Sequence, residues 1–550
     1  MKNIYTFLIA TTLLFGSCTL DRNPETTLGD SNFWKTETDL RGACNRLYID
    51  LDGFYHDMRS DELVGTSANS ISSGNWTVPG TSDNWTGPYA KIGVANNIIA
   101  KGTSAPLADA VKNRWLAEAY FFRAYHYFDL VKKYGDVPLI LKVFDTTNDS
   151  EIKKARTPRE EVIQKCYSDL EFSKKWLPDI NDLKDDTNWG RVSRSAALGL
   201  MVRIGLYEGT YSKYHNLGND YKNHLKKSID AAETLIKEGK HSLYPDFQAL
   251  FTFAGEGRQN KENLFVKVYG PNGAGIIVHR NSRDLESKVA ATRQMIDMFL
   301  YSDGLPREKS PLKIHPENSF NDVFINRDPR MSMTIYQLNE EAYKGPYIPF
   351  INQHGFGYPI KKGFMIDQWE LSGKETVDKM LIRYAEILLS YSEALYEYND
   401  QITDEQLNAT INLIRKRAGF NMPLTNEFVK TKGLSMIDEI RRERIVEFID
   451  EGLHYDDIIR WKTAEKKLIE PLLGIKYVES ETSADYNRLK SRLTDSNGNL
   501  DGVNVYDEPN IYVIEKASTR SFNQDRDYLY PIPSYEIGTS DKNIIQNPNW

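Results

Sequence analysis

Cysteine is almost missing from this chain, with 3 in 550 residues. There is no CxxC pair, so neither a zinc ribbon nor a thioredoxin-like redox site is indicated. The nine histidines are scattered, without an HExxH or a close pair on one helix face, which removes that class of metal site. There is no Walker A loop, Gly273-Ala274-Gly275 is too short for a dinucleotide fingerprint, and no GxSxG elbow appears. An excess of positive charge is lacking as well. Lys and Arg number 69 against 77 Asp and Glu, a net charge of −8, which argues against nucleic acid as a partner. Beyond the N-terminus no run of eighteen apolar residues could span a bilayer as a helix. The sequence therefore points to no metal, no cofactor and no catalytic machinery.

What is abundant is aromatic. Apolar residues make up 40% and charged residues 27%, ordinary for a large core and a polar surface, but the 32 Tyr and 9 Trp stand out. Such rings suit helix packing and flat binding surfaces alike. The first eighteen residues are distinct. Lys2 supplies a positive start, Ile4 to Phe15 an apolar stretch and Gly16-Ser17-Cys18 a small-small-Cys ending, the pattern of a signal at 1–17. The ending resembles a bacterial lipobox, with Phe15 where Leu is usual, and implies that Cys18 is acylated. Several acyl chains make a stable anchor, at about 0.8 kcal/mol per buried CH2. Residues 18–36 then read as a lipidated tether. Cys44 and Cys166 fall in separate helical patterns and are expected to be buried free thiols.

The centre of the chain's organisation is Val111 to Leu141. Its first three-quarters reads as a helix of about seven turns, apolar or aromatic nearly all round, and so covered by neighbours on every side. Gly135 and Pro138 are its stop signals. Glu118, Arg123 and Asp129 must live among aromatics, which predicts an Arg123–carboxylate bridge. Further helices are predicted at Asp39–Leu51, Tyr89–Lys101, from a Thr157 cap to Trp176, at Ser193–Tyr214 and at Tyr221–Glu238. After the interruption they return at Asp378–Tyr398, Thr403–Ala418, Leu434–Trp461 and Ala464–Leu473. Trp115, Trp176 and Trp461 lie on helices and are expected in the core. Between Lys240 and Val377 the chain is rich in Gly, Pro, Asn and aromatics, with helical patches such as Thr292–Leu300. Loops this long in an ordered domain are usually functional. The expected fold is mainly α. A scaffold of tetratricopeptide-like helical pairs at 37–239 and 378–473, without a strict 34-residue repeat, would carry a loop-rich region at 240–377. An irregular segment at 474–550 would complete a single domain, 37–550.

Several segments, in order, resemble the SusD/RagB family of outer-membrane nutrient-binding lipoproteins. They are Cys18-Thr19-Leu20-Asp21; Phe33-Trp34 with Asp39-Leu40, Asn45 and Tyr48; Ala117–Leu139; Gly190-Arg191; Ile382–Glu397; Asn412–Phe420; Arg441–Trp461; Tyr530-Pro531-Ile532-Pro533; and Gln546-Asn547-Pro548. His454 stands where the family commonly has Arg, and Asn549 where Gly commonly follows. The resemblance implies a non-catalytic surface lipoprotein, anchored in the outer membrane, that captures a glycan or oligosaccharide. It implies delivery of that ligand to a SusC-like TonB-dependent transporter as partner. Peptide-binding members of the family are the alternative; a glycoside hydrolase lacks any signature here.

Sugar recognition needs a flat aromatic face and planar polar groups for in-plane hydroxyls. Asp61, Asn69, Asn75, Trp76 and Trp85 offer these between two helical stretches, where a Trp in a polar loop has fewer reasons to be core. Trp85 has a competing reading, as a staple for the helix that follows. Tyr269, Asn281, Arg283, Tyr358 and Trp369 form a second group in the middle segment.

Overall fold

The computed structural model describes residues 32–49, 51–144, 149–185, 188–218, 220–272, 275–343, 345–348, 357–478, 503–505 and 508–550. The expected signal and lipidation site, Cys18 included, lie outside the described residues.

Helix α1 (Glu37–Asn45) opens on a capping box. The Asp39 N–H donates to the Thr36 hydroxyl at 3.2 Å, and the Thr36 N–H donates to the Asp39 carboxylate at 2.8 Å. Then follow α2 (Asp83–Thr103), α3 (Asp109–Tyr134), α4 (Arg159–Trp176), α5 (Arg194–His215) and α6 (Tyr221–Glu238). Each packs on its successor from α2 onward, so sequence neighbours are spatial neighbours, as in a helical-pair scaffold. The chain returns to this stack late. Helix Tyr384–Asn399 lies against α5 and α6, Met436–Glu447 packs on it, and His454–Arg460 docks on α5. A single apolar cluster accordingly runs from Leu40 to Ile544.

The long helix is α3, and it is buried around its circumference, with Leu116, Ala119, Phe121, Phe122, Tyr127 and Leu130 all inside. The expected bridge is present and double. Arg123 Nε and Nη2 donate to Asp169 on α4 at 2.7 and 2.8 Å, while Nη1 donates to Asn96 on α2 at 2.9 Å. One guanidinium thus ties three helices, the planar fork satisfying donors that burial would otherwise orphan. Glu118 receives Arg191 at 2.6 and 2.9 Å, and Asp129 receives Lys133 at 2.9 Å. Gly190 holds Arg191 in place at φ +82°, where a Cβ would come within 2.6 Å of Val268. Trp115 and Trp461 are buried and Trp176 is partly so. Cys44 and Cys166 are buried free thiols.

The loop-rich middle has a core of its own. Leu63, Val289, Phe299, Phe320, Met331 and Tyr358 cluster with Ile445, Ile449 and Trp461 from the helical half. A three-stranded antiparallel sheet underlies it, ordered Leu63–Gly65, Val289–Ala291, Tyr358–Pro359. Strand Asn263–Lys267 pairs antiparallel with Lys379–Arg383. The two halves meet at a buried ionic seam. Arg383 donates to Glu262, Glu447 and Glu451 at 2.7–2.8 Å, and Arg330 reaches Asp328, Glu443 and Glu447. The acidic stretch from Glu439 to Asp457 largely serves these pairs.

Several boundaries differ from those the sequence predicts. Helix α2 starts at Asp83, not Tyr89, because the Ser82 side chain accepts the Asn84 N–H, and Pro88 is carried inside it. The cap of α4 is not Thr157. That residue bridges Val137, and the Arg159 N–H is taken by Asp136 at 2.7 Å. Residues 379–383 are strand rather than helix, their backbone being claimed by Asn263–Lys267. The predicted helix Leu434–Trp461 is two, broken where Asp450 and Gly452 adopt φ +62° and +76°. Thr403–Ala418 likewise splits, into Asp404–Asn408 and Ile411–Arg417. Ala464–Leu473 is a helix only to Lys467, and Leu472–Lys476 is a strand.

Candidate functional site

The chain from Leu51 to His56 leaves the end of the first helical segment and crosses the junction between the halves. Two lysines pin it. Lys267 Nζ donates to the Leu51 carbonyl, and Lys379 Nζ to the Gly53 carbonyl at 2.6 Å. Phe54 turns inward, 4.3 Å from His279 and 6.0 Å from Tyr269 between ring centroids. Tyr55 turns outward and is 56% exposed. It stands at the mouth of a cavity of about 410 Å³, lined also by Asp52, Tyr125, Lys132, Arg203, Lys379, Glu451 and Asp456. A smaller cavity of about 50 Å³ adjoins it through Phe54, Tyr55, Lys379, Met380 and Glu451, and continues past His56 to Asn281, Gly363 and Asp378. Cavities at such junctions, with few converging polar groups, are where small ligands are usually held.

The charges in this groove are mostly spoken for. Tyr125 Oη donates to Asp52 at 2.5 Å, Lys132 pairs with Asp456, and Arg203 grips Glu386 with two contacts of 2.7 Å. Glu451 takes Arg383 and Lys362, and together they hold its carboxyl below the usual range against the opposing effect of burial. His56 rests on Asp450 at 2.8 Å; burial pushes the imidazole down, but that carboxylate wins and holds it above its ordinary value. Asp378 behaves differently. Burial raises its carboxyl to about 6, and it accepts the Tyr269 N–H at 2.8 Å. Its neighbour Glu256, which accepts the Asp378 N–H at 2.6 Å, is raised by burial to about 7. No group of His, Cys, Asp and Glu able to hold a metal occurs among the described residues.

The sequence-predicted binding residues fall in three places. Tyr269 and Asn281 belong to the groove: the Tyr269 ring backs Phe54, and Asn281 lines the smaller cavity while donating to the Gly363 carbonyl at 3.3 Å. Arg283 and Trp369 meet on a separate surface. The guanidinium lies 3.8 Å over the half-buried indole, whose Nε1 donates to Glu286 at 2.6 Å. The third set is structural. Trp85 is buried at 3% exposure within α2 and packs edge-on against Tyr134, as the helix-staple reading has it. Tyr358 is 1% exposed, with its hydroxyl accepting from Arg293. Asp61 is buried between His454 and Lys467, each at 2.8 Å. None of these three has a face for a ligand to reach in this arrangement. Asn69 caps the turn at Ile71 and Ser72, and Asn75 donates to Ser73 and Thr519. Trp76 stands edge-on to Tyr530 and Trp550, at 4.9 and 4.7 Å.

Asp52, Phe54 and Tyr55 were not among the predicted site residues. The signal that could have found them is Asp52-Gly53-Phe54-Tyr55-His56-Asp57, two adjacent rings in a loop of Gly and Asp. It satisfies the same criterion that pointed to the loop tryptophans.

Two family models match the chain. The one described as the SusD family covers residues 255–550, and one described as starch-binding associating with outer membrane covers residues 43–206. SusD-like protein P2 of Formosa agariphila is 26% identical over 523 residues, 88% of this chain and 94% of that protein. A SusD-like protein of Bacteroides ovatus is 22% identical, over 100% of this chain and 97% of its own length. Among solved structures, a SusD-like carbohydrate binding protein from Bacteroides fragilis superposes with a TM-score of 0.73 at 23% identity, covering 93% of this chain and 99% of that one. Surface glycan-binding protein A from Bacteroides fluxus gives 0.62 at 20% identity, covering 94% and 100%.

Proposed function

Because the chain belongs to the SusD family, we propose that it is a non-catalytic binder of a glycan or oligosaccharide, held at the outer membrane by lipid on Cys18. The ligand is handed to a SusC-like TonB-dependent transporter. The observation that carries the ligand class is the groove at Asp52–His56. An exposed Tyr55 ring lines an open polar cavity of about 410 Å³ whose charged groups are mostly ion-paired or hydrogen-bonded. Paired charges and a flat ring suit a neutral, hydroxyl-rich ligand, which stacks its C–H face and bonds in its plane. The same pairing leaves Glu451, Asp456 and Asp457 fixed to cations, poorly placed to act as free acid or base. The similar carbohydrate-binding protein of Bacteroides fragilis and glycan-binding protein of Bacteroides fluxus agree with this ligand class. Dense display on a surface facing a multivalent polymer lets modest single-site affinity serve.

Native affinity electrophoresis through a panel of glycans tests the reading. The protein should be retarded by at least one glycan, and Tyr55→Ala should remove that retardation. Mobility unchanged by every glycan, with peptides co-purifying instead, would favour the peptide-binding alternative. Cleavage products on prolonged incubation would identify a hydrolase. For the anchor, Cys18→Ala should release the protein from the membrane fraction; continued retention would count against lipidation.

A further inference from the structure

The smaller cavity beside the Tyr55 groove has a character of its own. It holds about 50 Å³ and meets the larger one along Phe54, Tyr55, Lys379, Met380 and Glu451, which line both. A water needs about 10–15 Å³ of such space, so the cavity admits a group of roughly four heavy atoms and excludes a pyranose of roughly twelve. Rings and aliphatic atoms make up most of its wall, from Phe54, Tyr55, Phe251, Met380 and Gly363. Gly363 sits at φ +75°, and a Cβ there would lie 3.5 Å from Asn281 Nδ2 and 3.7 Å from Phe251. The polar and the apolar side of the wall meet at that glycine.

Most polar groups of this wall are engaged. Lys362 Nζ donates to the Glu447 and Ile449 carbonyls and to Glu451. Asp450 is taken by His56, and Asp378 accepts the Tyr269 N–H. Asn281 is the exception. The residue is 4% exposed, its N–H donates to His279 Nδ1 at 3.1 Å, and its Nδ2 donates to the Gly363 carbonyl at 3.3 Å, which fixes the orientation of the amide. Its Oδ1 accepts no hydrogen bond from the described residues and, unlike His56 Nε2, is not sealed from solvent. Buried polar groups are nearly always partnered, so an acceptor that keeps access to a cavity marks where a donor is expected to arrive. On the side shared with the groove, Lys379 Nζ carries three protons, of which the Gly53 carbonyl takes one at 2.6 Å.

We infer that this small cavity takes the acetamido group of an amino sugar whose ring lies in the Tyr55 groove. The amide N–H donates to Asn281 Oδ1, the amide oxygen accepts from Lys379 Nζ, and the methyl lies against Phe251 and Met380. A carboxylate or sulfate in that place would face Asp378, Asp450 and Glu451, which also line it. An acetyl ester lacks the N–H that Asn281 Oδ1 can accept, and a plain hydroxyl leaves the apolar wall uncovered. The inference rests on the saccharide reading above and narrows it to N-acetylated sugars.

Saturation-transfer NMR titrations on the full-length protein would compare the methyl glycosides of N-acetylglucosamine and N-acetylgalactosamine with those of glucose, galactose, glucosamine and 2-O-acetylglucose. The glycan panel would be run beside them. The acetyl methyl protons of the two acetamido sugars should receive the largest saturation, and the sugars without that group should bind about fivefold more weakly. Asn281→Ala should remove the difference, with its melting temperature reporting that it is folded. The comparison of amide with ester on the unaltered protein decides the matter even where that variant does not fold. Equal affinity for acetamido and parent sugars, or a preference that persists in folded Asn281→Ala, would overturn the acetamido site while leaving the saccharide reading intact. An ester that binds as tightly as the amide, or glucosamine that binds more tightly, would overturn it as well, as would retention in the panel only by glycans without acetamido groups. Failure of every saccharide to bind would overturn both readings.

Discussion

The two halves of the molecule solve the same burial problem by different means. In the stack α2 to α6 the interior is made of side chains at helical spacing, and the buried charges are few bridges such as Arg123–Asp169 and Arg191–Glu118. In the loop-rich half, short strands and turns cannot interleave apolar faces over any length. Its interior holds many guanidinium and carboxylate groups, with Arg293 and Arg330 among the largest fully buried side chains, as Arg415 and Arg460 are on the returning helices. A helix satisfies its own backbone, so its side chains are free to be apolar. An irregular segment must be held in place by side chains that hydrogen-bond. The second half is correspondingly dependent on individual residues, and it is the half that lines the open groove.

The sharpest way to break that comparison is at the seam. Glu447 is fully buried and accepts from Arg330, Arg383 and Arg417, which hold its carboxyl far below the usual range despite burial. Glu447→Ala leaves three buried guanidinium groups short of a partner and should cost about 3–5 kcal/mol of unfolding free energy by denaturant titration. Loss of less than 1 kcal/mol would show that the remaining carboxylates suffice and that the seam is redundant.

Trp85→Ala tests the helical half. A fully packed indole against Tyr89 and Tyr134 should cost about 3–5 kcal/mol through the cavity it leaves. A near-unchanged melting temperature would mean that α2 repacks.

How much of each half was legible follows from the same contrast. Helical spacing is a local signal, so α3, its Arg123 bridge and the bounds of α6 could be read directly from the chain. The strand Lys379–Arg383 could not, because its partner lies more than a hundred residues away and its own pattern continues the helix after it. The two departures from family pattern are likewise explained only in three dimensions. His454 Nε2 donates to the Asp61 carboxylate, a residue that composition alone made a ligand candidate. Asn549 sits at φ +62°, a left-handed conformation that Asn and Gly both tolerate. Trp85 and Tyr358, candidate binding residues from the sequence, are both buried. A ring in a polar stretch reads the same whether it is a platform or an anchor, and only its burial separates the two.

Acid–base behaviour gives a subtler contrast. Asp61, Glu393 and Glu447 are held down by cations, so their contribution is complete at neutral pH and is lost only in acid. Asp378 and Glu256, beside the groove, are raised by burial from 3.8 to about 6 and from 4.5 to about 7. The folded state keeps protons that the unfolded chain has released, so stability should fall as pH rises from about 4 to about 7, and then level. Asp378→Asn with Glu256→Gln should flatten that slope in denaturant titrations at stepped pH. An identical slope in the variant would assign the pH dependence elsewhere.

The smallest expected effect on stability is the one most specific to function. Tyr55 is exposed, its hydroxyl reaches Arg59, and it projects from a backbone held by Lys267 and Lys379. Its removal should therefore leave unfolding free energy within about 0.5 kcal/mol of the parent, while a stacked sugar would lose about 1–2 kcal/mol, or roughly tenfold in affinity. Trp369→Ala offers the matching comparison. Its indole is stacked by Arg283 and bonded to Glu286, so it should lose stability as well as any ligand contact. If glycan binding survives Tyr55→Ala and fails in Trp369→Ala, with both variants folded, the ligand lies on the Trp369 surface and the groove at Asp52–His56 is not its site.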